Sequence, residues 1–150
     1  MNTVIKPFLL LCSLFFALTS FAETGESMQQ FGDYQVHYNV FNTTFLTPEI
    51  ASEYGIVRSK KTALMNISVL KKQDDGTYQG VLAKVSGDHF DLIRKEVLTF
   101  QEVREENAVY YLSSFDIVHR IDVYFTVNVQ VEGEPSVFTV KFQKRLYRDE

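Results

Sequence analysis

Cysteine is nearly absent from this chain of 150 residues: Cys12 is the only one. It lies inside an apolar run, so a chain from which that run has been removed has no disulfide, thiolate metal site or cysteine nucleophile. Lipidation of Cys12 is disfavoured as well, because Leu11 stands where a small residue is wanted and apolar sequence continues beyond it. Histidine is scarce, with three in all, and His37, His89 and His119 match no metal-ligand spacing. No metal and no cofactor are expected. No basic stripe with interleaved aromatics is present, and the net charge is −4, so nucleic acid is a poor partner. There is no G-x-S-x-G elbow and no glycine-rich oxyanion loop. Ser113, Ser114, Asp116 and His119 therefore supply the residue types of a hydrolytic triad without its framework. Glu102, Glu105 and Glu106 read as a solvated turn, since nothing nearby raises a carboxyl pKa as acid catalysis requires. The expectation is a protein that is not an enzyme.

What is present begins with an address. Lys6 precedes the apolar stretch Phe8 to Leu18, and Ser20-Phe21-Ala22 follows with small residues at a peptidase site. This layout predicts a secretory signal peptide over 1–22. Its apolar core is short of the roughly 20 residues a bilayer span needs. Nothing after residue 22 resembles a second membrane segment. Residues 23–30 are polar and predict a flexible lead-in. One domain is expected over 31–150.

Within that domain the patterning is dominated by strands. Tyr34, Val36, Tyr38 and Val40 alternate with Gln35, His37 and Asn39, which predicts a half-buried strand. Thr47, Pro48 and Glu49 form a helix start, and Gly55 stands where a chain leaves a helix, so one short helix is expected near 48–54. Ala63, Met65, Ile67 and Val69 share one face of the next strand, and Asp75-Gly76 predicts a hairpin returning through Tyr78 to Val85. A loop is expected at Ser86 to His89, then strands over 96–103, 108–115, 121–131 and 137–142. The sum is an all-β antiparallel sandwich of about seven strands with one short helix.

The segment His37-Tyr38-Asn39-Val40-Phe41-Asn42-Thr43-Thr44-Phe45-Leu46-Thr47-Pro48 is followed by Tyr54-Gly55-Ile56-Val57-Arg58-Ser59-Lys60 and then Asn66-Ile67-Ser68-Val69. This combination resembles a family of small exported proteins of Gram-negative bacteria classified as a domain of unknown function. The motif match runs from Val36 to Val69, with the rest of the mature chain similar in outline. The resemblance implies an immunoglobulin-like β-sandwich in the periplasm. It implies no activity, so it carries no catalytic residue.

The candidate binding surface combines His37 and Asn39, on the polar face of their strand, with Arg58 and Lys60 after the helix. Together they offer a polar or anion-accepting patch. The same residue types also serve an irregular connection by hydrogen-bonding its backbone. The leading functional expectation is a non-enzymatic periplasmic module that contacts another envelope protein. The alternative is a carrier of a small ligand or metal, and a hydrolase comes third.

Overall fold

A computed structural model describes residues 27–106 and 108–150. They form ten strands in two antiparallel sheets. The strands are β1 (Ser27–Phe31), β2 (Tyr34–Asn42), β3 (Thr62–Lys72), β4 (Tyr78–Gly80), β5 (Ala83–Phe90), β6 (Lys95–Leu98), β7 (Gln101–Arg104), β8 (Val109–Asp116), β9 (Ile121–Val131) and β10 (Phe138–Leu146). A 3-10 turn at Thr43–Phe45 and the helix α1 (Pro48–Glu53) join β2 to β3. The first sheet runs β1-β2-β3-β8-β7, with β4 also paired to β3; the second runs β10-β9-β5-β6. The all-β sandwich expected from the alternation is therefore present, as is the helix.

Alternation explains the core directly. Val36, Val40, Met65, Ile67, Val69, Phe125, Val127, Val129 and Val140 are buried, and the residues directly before and after each in its strand face away from the core. Five rings then knit the two sheets together. Tyr38 stacks on Phe142 at 4.4 Å, Phe142 on Phe125 at 4.8 Å, Phe125 meets Phe115 edge-on at 5.6 Å, and Phe115 lies 4.8 Å from His89. Tyr38 and Phe115 belong to the first sheet and the other three to the second, so this ladder crosses the interface repeatedly.

Local chemistry behaves as expected at two points. The Thr47 hydroxyl accepts from the Ile50 N–H at 3.3 Å, capping α1. Gly76 takes φ +85° in the turn after β3, a conformation costly for any residue with a Cβ.

Elsewhere the strands differ from expectation. Ser27 to Gln30 are not lead-in but part of β1, with Ser27 opposite Tyr38 and Gln30 opposite Gln35. All four are exposed, so no apolar period marks them. The return through Tyr78 to Val85 divides: β4 stays with β3, and the chain then crosses to the second sheet as β5. The Ala83 N–H donates to the Tyr111 hydroxyl at 2.7 Å at this crossing. Ser86 to His89 are strand rather than loop. Gly87 lies there because a Cβ would come within 2.5 Å of the Thr126 carbonyl oxygen. The stretch 96–103 likewise divides into β6 and β7, which lie in different sheets. The expected signal segment 1–22 lies outside the described residues.

Candidate functional site

Asn39 and His37 occupy the outer face of the first sheet. His37 lies opposite Ser68 and Asn39 opposite Asn66, and the His37 Nε2 is 3.1 Å from the Gln35 Oε1. Arg58 and Lys60 belong to a separate constellation beyond the end of β2. From His37 to Asn42 the extended chain covers roughly 16 Å at its usual rise. The Arg58 guanidinium donates to the Thr44 carbonyl at 3.1 Å, and the Lys60 ammonium donates to the Glu150 carbonyl. The Ser59 N–H donates to the Thr43 hydroxyl at 2.9 Å, which in turn donates to the Ser59 carbonyl. These bonds close the base of the connection carrying α1. The sequence expectation joined these four residues in one patch, and their hydrogen-bond partners instead place them in two separate groups.

The C-terminal residues strap this connection down. The Asn42 amide donates to the Asp149 Oδ1 at 2.6 Å and to the Tyr147 carbonyl at 2.9 Å, and the Thr44 hydroxyl donates to the Asp149 Oδ2. Asn42 is buried. Removing the carboxylate leaves two donors short of a partner, so Asp149→Ala is expected to cost about 1–3 kcal/mol in urea unfolding. A loss below experimental error would show that the strap is not holding the fold.

The remaining sequence candidates disperse. Ser113 faces the core while Ser114 and Asp116 face solvent. His119 accepts the Arg148 N–H at 3.1 Å through Nδ1. Among the described residues, no group of three or more His, Cys, Asp or Glu side chains is placed to hold a metal ion.

His89 is buried against Phe115, its Nδ1 has no protein partner, and its Nε2 is 3.7 Å from the Glu96 carboxylate. Burial lowers its pKa below the ordinary 6.5; Glu96, Asp91 and Asp88 oppose that shift, and Arg94 reinforces it. The folded state therefore binds this proton less readily than the unfolded chain. Stability is complete above the unfolded value and is lost as pH falls from about 6.5 toward the lower folded value. Urea midpoints measured between pH 7.5 and 5.5 are expected to fall, and to fall less in His89→Gln. Equal slopes in the two proteins would refute the assignment to His89.

A site that sequence reasoning missed lies on the second sheet, at the β5–β6 hairpin. The Asp91 N–H donates to the Arg94 carbonyl at 3.1 Å, and the Asp91 carboxylate accepts the N–H groups of Ile93 at 3.1 Å and Arg94 at 2.7 Å. These bonds hold the Asp91 carboxyl below the usual carboxylate range. The two tip residues they frame are Leu92, at φ +71° and 60% exposed, and Ile93, 80% exposed. Val97 is 82% exposed on β6, with Phe90 and Tyr124 beside it as a cross-strand pair. Ion pairs of Lys95 with Asp88 at 3.2 Å and of Arg94 with Glu96 at 3.2 Å brace the hairpin. Among the described residues β6 pairs only with β5, so its outer edge is open. The sequence gives no turn signal at this point, because the two tip residues, Leu92 and Ile93, are neither glycine nor asparagine.

Comparison with known proteins adds family and fold. Residues 28–149 match the family described as Domain of unknown function (DUF4426). A crystal structure of a DUF4426 family protein from Pseudomonas aeruginosa PAO1 is 42% identical, with a TM-score of 0.73 over 84% of this chain and 98% of that one. A copper-bound variant of FetP from uropathogenic Escherichia coli strain F11 is 8% identical, with a TM-score of 0.57 over 84% of this chain and 92% of that one. At that identity the likeness is one of fold alone. No curated protein matches the chain. With most of its length matched and a solved relative this similar, the chain belongs to the DUF4426 family, a domain of unknown function.

Proposed function

We propose that the protein is a non-enzymatic interaction module of the periplasm that docks another envelope protein through the β5–β6 hairpin. The observation that carries this reading is the exposure of Phe90, Leu92, Ile93 and Val97 on one hairpin, with Tyr124 on the neighbouring strand and an open strand edge at β6. Grouped exposed apolar side chains on a soluble domain mark contact surfaces. An open edge adds backbone hydrogen bonds to a partner strand, whose alternate side chains then meet Lys95 and Val97 on β6. Leu92 strengthens the reading, because a left-handed conformation at a non-glycine residue is a cost that functional sites retain. The predicted signal peptide supports the compartment. A metal-carrying role has less support: the copper belongs to the FetP variant, and among the described residues no group of three or more His, Cys, Asp or Glu side chains converges.

The test is in-cell photo-crosslinking from position 93, followed by measurement of affinity for the captured protein in purified form. One dominant partner captured at 93 and not at 37, on the opposite sheet, is the expected result. Capture at 37 alone would move the docking surface to the first sheet and sink the hairpin assignment.

A further inference from the structure

The tip of the β5–β6 hairpin holds a conformation that its own residue types do not favour. A two-residue hairpin turn with positive φ at its first position ordinarily has glycine there. Here that position is Leu92, at φ +71°, whereas φ at Ile93 is not positive. Strained backbone of this kind persists only where the surrounding structure over-determines it. Packing against the core does not do so, because both tip side chains are exposed.

The constraint comes from Asp91. Its N–H donates to the Arg94 carbonyl at 3.1 Å, which closes the turn on one side. An ordinary turn closes the other side by giving the N–H of its fourth residue to the carbonyl of its first. The Arg94 N–H instead donates to the Asp91 Oδ1 at 2.7 Å, and the Ile93 N–H donates to the same oxygen at 3.1 Å. The other oxygen, Oδ2, lies 3.5 Å from the Arg94 guanidinium. Asp91 itself is 4% exposed, so it offers almost no surface to a docked chain. The same bonds, that from the Arg94 N–H foremost, keep its carboxyl below the usual carboxylate range, so it remains an acceptor across neutral pH.

We infer that Asp91 is a positioning residue for docking at the hairpin, an assignment that rests on the function proposed for that surface. Its carboxylate holds Leu92 in the left-handed conformation and presents Leu92 and Ile93 to a partner in a preformed arrangement. A mobile tip would have to be ordered on binding, and fixing the backbone of one residue corresponds to about tenfold in affinity. The buried acceptor removes that cost beforehand. It also lets a tight turn be made from two apolar residues, because the residue before them supplies the closing bonds.

The test combines one measurement without a partner and one with it. Backbone amide relaxation of the full chain is expected to give order parameters of about 0.85 at Leu92 and Ile93. They should fall below about 0.6 in Asp91→Ala and recover in Asp91→Asn, whose amide oxygen accepts the same two N–H groups. Toward the purified protein captured from position 93, Asp91→Ala should bind about tenfold more weakly, and Asp91→Asn within about threefold of the unaltered protein. The loss should lie in the association rate, whereas removal of a partner-contacting residue acts mostly on dissociation. Both variants are checked by a cooperative thermal melt. Equal order parameters in all three proteins, or an unchanged association rate in an Asp91→Ala protein whose tip has become mobile, would overturn the inference. A tip already mobile in the unaltered protein would overturn it without any substitution. Failure of the hairpin reading shows differently, as no capture from position 93 by a protein whose tip is rigid.

Discussion

Leu92→Gly is expected to raise stability by about 1 kcal/mol while abolishing partner capture. Two effects set the first figure. The left-handed conformation costs a non-glycine residue about 1–3 kcal/mol, and glycine gives back about 0.5–1 kcal/mol through the greater freedom of its unfolded chain. Leu92 is at φ +71° and largely exposed, so its side chain contributes little burial to offset the strain. The urea midpoint should therefore rise. Capture from position 93 should vanish, because half of the apolar tip is gone. Ile93→Asp provides the complementary variant: at 80% exposure its stability should stay within about 0.5 kcal/mol, while its affinity for the purified captured protein is lost. Few substitutions stabilise a protein and remove its contact in one step. Undiminished capture by Leu92→Gly would refute docking at the hairpin, and a lowered midpoint would refute the strain.

The second large effect concerns the ring ladder. Phe125→Ala is expected to cost about 3–5 kcal/mol, a large share of the stability of about 5–15 kcal/mol usual for a domain. Phe125 is 1% exposed and touches Phe142, Phe115 and His89. Its removal opens a cavity where the sheets meet, walled by rings that belong to strands with little freedom to close in. A urea-derived loss under about 2 kcal/mol would mean the sheets do collapse around the site. The same variant should also weaken the pH dependence assigned to His89, since the lost ring admits water beside the imidazole.

Much of the fold was legible before any coordinates. Strand β9 announces itself through Val123, Phe125, Val127, Val129 and Val131, because side chains alternate across a pleated strand and one face must be apolar. Thr47-Pro48-Glu49 and Asp75-Gly76 were equally readable, since caps and tight turns depend on two or three adjacent residues. Strand β1 was not, because an exposed edge strand has no buried face to pattern. The three sheet crossings, between β4 and β5, between β6 and β7 and between β8 and β9, were also hidden. Alternation specifies which face a residue takes, not which strand lies beside it.

The candidate sites divide in the same way. His37 and Asn39 were correctly read as outward-facing from their period alone. Arg58 and Lys60 find their partners at Thr44 and Glu150, and in the second case the partner is at the far end of the chain. Leu92 and Ile93 have the composition of core residues, and only the closing of the β5–β6 hairpin turns them toward solvent. Asn66 reads as one more outward polar residue on a strand until α1 is seen to cover it.

What the sequence determined by itself was therefore local: where strands begin to alternate, where the helix starts, where the chain reverses. Those signals arise from backbone sterics and from the partition of each side chain between water and an apolar layer. The tertiary structure decided which strands are neighbours, which polar atoms lose their water and which apolar side chains keep theirs. Those outcomes depend on how elements pack on one another, so the exposed hairpin tip and the covering of Asn66 became visible only once β5 had closed on β6 and α1 had folded back over the first sheet.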